Sequence, residues 1–169
     1  MYGKSTGNQR IEAWWSILRR QCTDIWIARF KAVVSSGRVN LDDNVHIQCL
    51  RFCFLPILTR DLQRMALEWN THRINARKQE GQVSGKPDKM FFVPEDFDSA
   101  DNSCDVSIED ATKVQEALEE ETADLQMINP NFSRMVDLIE PNHTQPTTYE
   151  EALRLFCTLI VQLRRRPVV

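Results

Sequence analysis

One carboxylate stands out near the start of the chain. The stretch GNQRIEAWW, residues 7–15, opens on a turn-like Gly7-Asn8 and becomes helical, with Glu12 beside Trp14 and Trp15. At about 100° per residue, Asn8, Glu12, Ser16 and Arg19 share roughly one quarter of a helix circumference, and Arg20 is adjacent. A guanidinium grips phosphate oxygens in pairs, so Arg19 and Arg20 suit a polyanion. A carboxylate suits a hard divalent cation. Each group also has a plain reading. Glu12 is favourable at the positive end of a helix dipole, and an arginine pair is commonly a solvated face.

A second set could bind metal by residue type alone. His46, Cys49 and Cys53 fall on successive turns of one helix. Three ligands on a single helix converge poorly, and no partner CxxC or HxxxH pair stands elsewhere. Buried thiols and a helix-face histidine are the simpler expectation. His72, in WNTHR, reads as structural at a helix end. The tryptophans read as core. The basic RRRP, 164–167, complements a helix C-terminus.

These residues need elements to hold them. The apolar residues Ile11, Trp15, Leu18, Cys22 and Ile25 predict one helix face within residues 8–34, with a bend or break near Thr23-Asp24 and a stop at Gly37. Asp42 or Asp43 caps a second helix, through Val45, Ile47, Leu50 and Phe54. Pro56 marks a kink or a new helix, because its ring blocks a helical hydrogen bond. A third helix carries Leu58, Leu62, Met65 and Trp69 on one stripe and ends near WNTHR, 69–73. Residues 75–105 read as a connector in which MFFV, 90–93, docks on the helices. Ser107 with Asp110 opens an acidic helix through Ala111, Val114, Leu118 and Leu125, ended by Asn129-Pro130. An amphipathic FSRMVDLI, 132–139, follows. Thr148 with Glu151 opens a last helix, apolar nearly all round, which needs burial.

Composition narrows the class. Of 169 residues, 42% are hydrophobic and 27% charged, ordinary for a globular protein. The absence of any run of about 18 apolar residues predicts no membrane span. Five cysteines at irregular spacing read as reduced thiols, which predicts an intracellular protein, nuclear or cytoplasmic. Residues 1–97 carry 15 Lys/Arg against 10 Asp/Glu, a net +5; residues 98–169 carry 6 against 14, a net −8. The front could approach a polyanion, and the back would repel one.

GKSTGNQRIEAWWSILRR, 3–20, resembles the last conserved block of retroviral-type integrases and DDE transposases. HIQCLRFCFLPILTRDLQRMALEWNTHRI, 46–74, and GKPDKMFFVPEDF, 85–97, resemble the integrase core-domain proteins of transposon-derived genes in animals and fungi. The resemblance implies a mainly α chain: the helical C-terminal part of an RNase H-like core lacking most of its sheet, plus an acidic helical tail. The implied division is 1–74 core remnant, 75–105 connector and 106–169 acidic helical region. The resemblance makes Glu12 the third acid of a three-acid set that holds Mg²⁺ or Mn²⁺ for DNA strand transfer. Asn8, Arg10, Ser16, Arg19 and Arg20 become candidate DNA contacts. The other two acids of that set lie further upstream than the 11 residues before Glu12 allow. The expectation is therefore a truncated, catalytically inactive chain with no cofactor of its own and nonspecific nucleic-acid binding. The alternative is a helical adaptor that binds protein, or itself, through the Trp14/Trp15 face and the acidic half.

Overall fold

The computed structural model describes residues 9–75, 83–100, 103–123 and 128–164. The chain is mainly α. Helix α1 spans Gln9–Leu18, a π-helical turn spans Arg19–Thr23, and α2 spans Asp24–Ser35. Helix α3 runs from Asn44 to Thr71, α4 from Pro87 to Phe92, α5 from Ile108 to Ala123, α6 from Pro130 to Ile139 and α7 from Tyr149 to Arg164. Among the described residues the β structure is a lone antiparallel bridge, Ile74 to Gly85. The chain divides into two units, residues 1–62 with 126–169, and residues 63–125.

The core of the first unit is built around α3. Cys49, Phe52, Cys53 and Phe54 are all buried. These four positions span about 200° of the helix wheel, so this stretch must have neighbours on more than one side. The rings show which ones. Phe54 meets Phe30 of α2 at 5.5 Å and Tyr149 and Phe156 of α7 at 5.7 and 6.0 Å. Phe52, about 200° away on the wheel, meets Phe132 of α6 at 6.1 Å and the His143 ring at 5.5 Å. Aromatic pairs in such tilted and edge-on geometries add about 0.5–1.5 kcal/mol each beyond burial. Val136, Ala152, Phe156 and Leu159 complete the interior. The last helix is buried as its composition requires, with Val161 as its exposed apolar residue.

Polar pairs fix how α2 and α7 lie on α3. Trp26 Nε1–H donates to Asp61 Oδ2 at 3.2 Å, and Arg60 donates to the Thr147 carbonyl at 2.8 Å. The Arg29 guanidinium lies 4.5 Å from the Tyr149 ring centre and 5.3 Å from that of Trp26. Pro56 does not start a new helix; α3 continues through it. Of the two candidate caps, Asp43 acts, its carboxylate accepting from Val45 N–H at 2.9 Å. Gly37, at φ +69°, ends α2 in the left-handed region that glycine enters without a Cβ clash. Asn129 and Pro130, expected to end the acidic helix, open α6, and residues 124–127 before them lie outside the described residues. Asn129 accepts from Asn131 N–H at 2.9 Å, and proline stands where no donor is needed.

Helix α7 opens on Thr148, whose hydroxyl accepts from Glu151 N–H at 3.2 Å. Glu151 reaches back to Thr147, accepting from its N–H at 2.8 Å and its hydroxyl at 2.9 Å. The Thr147 backbone N–H, then its hydroxyl, hold the Glu151 carboxyl below its ordinary value. A depressed native pKa gives stability above the unfolded value that is lost as pH falls through the native one. Glu151→Gln is therefore expected to lower the melting temperature at pH 7, with the deficit vanishing in acid. Melting curves from pH 7 down to pH 3 check this.

In the second unit, Ile74 and Gly85 exchange both backbone hydrogen bonds, at 2.8 and 3.0 Å. A Cβ on Gly85 would sit 2.6 Å from the Phe97 ring, so the close approach requires glycine. Lys89 pairs with Asp96 at 2.6 Å and fastens α4 to the Pro94–Phe97 turn. The MFFV segment does not dock as expected: Phe91 and Phe92 are 79% and 74% exposed. Ser107 caps α5, accepting from Asp110 N–H at 3.1 Å and donating to its carboxylate at 2.7 Å.

Candidate functional site

The face singled out from the sequence lies on α1 and the turn that follows it. Glu12 is in the first turn of α1, and both it and Ser16 are exposed. Ser16 Oγ donates to the Glu12 carbonyl at 2.9 Å. Its proton is thus committed to the helix, while its oxygen can still accept. Arg19 and Arg20 are exposed at the start of the π turn. Asn8 and the Arg10 side chain lie outside the described residues.

The π turn changes what the sequence pattern implied. Asp24 N–H bonds to the Arg19 carbonyl, five residues back, so one extra residue enters the helix. An extra residue turns the face by about 100°. The apolar stripe of α1 therefore does not continue into α2. Cys22, Trp26 and Val33 are buried, whereas Ile11 is 49% exposed, Trp15 58% and Ile25 46%. The expectation that the tryptophans form the core holds for Trp26 and fails for Trp15. Trp14 is half-buried.

The same turn supplies a residue the sequence reading missed. Arg19 Nε donates to Asp24 Oδ1 at 3.0 Å. Residues five apart do not meet on a regular α-helix, but they stack across a π turn. Arg19 thus already has an anion beside it, in a pair that is 75% and 51% exposed. Among the described residues, no acid pairs with Arg20.

Among the described residues, no group of three or more His, Cys, Asp or Glu side chains is placed to hold a metal ion. A site for two Mg²⁺ or Mn²⁺ ions needs several converging carboxylates. Glu12 offers one, so the described residues do not fit such a pair. The His46, Cys49 and Cys53 set is occupied otherwise. His46 is buried, and its Nδ1 accepts from Asn40 N–H at 2.9 Å, which places the neutral ring's proton on Nε2. Burial, with Asp43 second, pushes the Cys49 thiol from the ordinary 9.0 up to about 12. Burial pushes Cys53 further in the same direction, with Cys49 and Cys157 adding to it. His72 stands just past α3, its Nδ1 against the Trp69 carbonyl and its ring 4.5 Å from that of Trp69, a helix-end arrangement. No helix among the described residues is long and apolar enough to cross a membrane.

A family model described as integrase core domain matches residues 1–92, just over half of the chain and all of the face just described. Comparison with curated proteins and with solved structures gives no match.

Proposed function

The chain belongs to the integrase core domain family, and from that premise we propose that its α1 face meets nucleic acid, with Arg20 and Arg19 on the phosphates. One observation carries the reading. Ser16, Arg19 and Arg20 are exposed in a row beside Glu12, inside the segment that the family model matches. On this reading residues 1–74 are the helical remnant of an RNase H-like core. Glu12 stands at the place of the family's third acid. It acts in this chain as a charge on the face, because one carboxylate cannot hold two metal ions.

The pairing of Arg19 with Asp24 gives a directed test. Asp24 sets a negative charge several Å from any phosphate on Arg19. In water that repulsion is worth about 0.6 kcal/mol at ~7 Å. Asp24→Asn is therefore expected to tighten binding of a labelled duplex by roughly threefold at low salt. Anisotropy titrations read this. Looser binding by Asp24→Asn would count against Arg19 as a phosphate contact. In parallel, supercoiled DNA with Mg²⁺ or Mn²⁺ is expected to stay intact. Nicking that disappears in Glu12→Gln would contradict the reading of Glu12.

A second reading is favoured by Ile11 and Trp15, large apolar side chains about half exposed on α1. That face would bind protein or a second copy. Sedimentation velocity on the wild type and on Trp15→Ser distinguishes it, since only an apolar interface weakens with the serine.

A further inference from the structure

Helix α5 is amphipathic, yet it is exposed on every side. Every residue described from Ser103 to Glu119 is exposed. Its apolar positions include Ile108 at 86%, Val114 at 60% and Leu118 at 53% exposed. Ala111, Val114 and Leu118 recur at spacings of three and four, so they form one stripe. Isolated helices of this length are marginal in water, and helices in proteins draw most of their stability from packing an apolar face. The stripe is thus a face built for a cover.

Charge decides the kind of cover. Residues 88–124 hold 13 Asp/Glu against two Lys. On α5 itself, Asp110 and Glu119 flank the stripe on opposite sides. Lys113, the helix's one cation, is already paired with Glu109 at 2.8 Å and lies 3.7 Å from Asp110. Like charges across the stripe would oppose pairing of two α5 helices. Nucleic acid and anionic lipid are repelled in the same way. We propose that α5 is a docking helix for a cationic amphipathic helix of another protein, whose apolar side chains cover Val114 and its neighbours while Lys or Arg meet the flanking carboxylates. The recognition is the helix-against-helix kind, with apolar anchors at i, i+3 and i+7.

The test uses the full chain and a synthetic 16-residue Leu/Lys peptide with leucines on one helical face. A peptide of the same composition with the leucines scattered serves as control. The expected result is binding to the faced peptide at least tenfold tighter than to the scattered one. Ile108→Ala with Val114→Ala should weaken it about tenfold. Alanine favours the helix over isoleucine and valine, so that loss cannot come from unfolding α5. Asp110→Asn with Glu119→Gln should weaken binding and flatten its salt dependence. Leu138→Ser, at an exposed apolar position on α6, should change nothing. Equal affinity for the two peptides, indifference to the alanine pair, or a concentration-dependent homodimer that the alanine pair abolishes would each overturn the proposal.

Discussion

Phe156→Ala is expected to remove about 3–5 kcal/mol of stability, the usual cost of a cavity left by a buried phenylalanine. Phe156 has no exposed surface and its ring packs on Phe54, the centre of the aromatic cluster that joins α2, α3 and α7. Natural domains hold about 5–15 kcal/mol in all, so the variant would stand close to unfolding at 37 °C. Urea denaturation followed by circular dichroism measures it. Phe91→Ala makes the comparison sharp. That ring is 79% exposed, and its loss is expected to stay within about 0.5 kcal/mol. Equal midpoints for the two variants would mean that the core is not where α3 and α7 put it.

The second large effect concerns the thiols. Cys22, Cys49 and Cys53 are buried, Cys157 is half-buried and Cys104 is exposed. With its pKa pushed up to about 12, Cys49 holds roughly a thousandfold less thiolate at pH 8 than a thiol at its ordinary value, before access is counted. Ellman's reagent should therefore modify Cys104 first and Cys157 more slowly. The other three should react only on unfolding. The same shift gives an alkaline limit. A pKa raised in the native state stabilises the fold below the unfolded value and ceases to do so as pH rises through the native one. From pH 9 towards pH 12, stability should therefore fall, because the thiols ionise in the unfolded chain while burial holds Cys49 protonated in the fold. Five thiols reacting at one rate, or a fold equally stable at pH 8 and 11, would contradict this.

The caps were legible because they are local. Ser107 with Asp110, and Thr148 with Glu151, are three residues apart, and a side chain at that spacing reaches its own backbone. The buried thiols were legible because Cys53 lies within, and Cys49 just before, the stretch Leu50 to Leu58, apolar but for Arg51, that no single face could hide. What escaped depends on packing between segments distant in sequence or on helix phase. Trp15 reads as core on a regular wheel, and one extra residue in the Arg19–Thr23 turn rotates it away from Cys22 and Trp26. No local motif announces a π turn. The same insertion brings Asp24 to Arg19, a spacing that a regular wheel places apart. Phe91 and Phe92 read as docked by hydrophobicity alone, but the neighbouring backbone, held by Gly85 against Ile74 and by Lys89 on Asp96, leaves them in solvent. Asn129 and Pro130 carry signals for both a stop and a start, and the start is the one seen at α6.

Nucleic-acid contact through the α1 face is tested most directly by the salt dependence of binding. A labelled duplex would be titrated with the wild type and with Arg19→Met/Arg20→Met from 50 to 200 mM salt. Methionine keeps an unbranched stem of similar length and removes the charge with its N–H donors. Phosphate contacts release counterions, so log K should fall linearly with log salt. The double variant should bind more weakly, with a slope shallower by about 0.9 for each phosphate it no longer neutralises. Wild-type binding that ignores salt, or a double variant with an unchanged slope, would contradict the account.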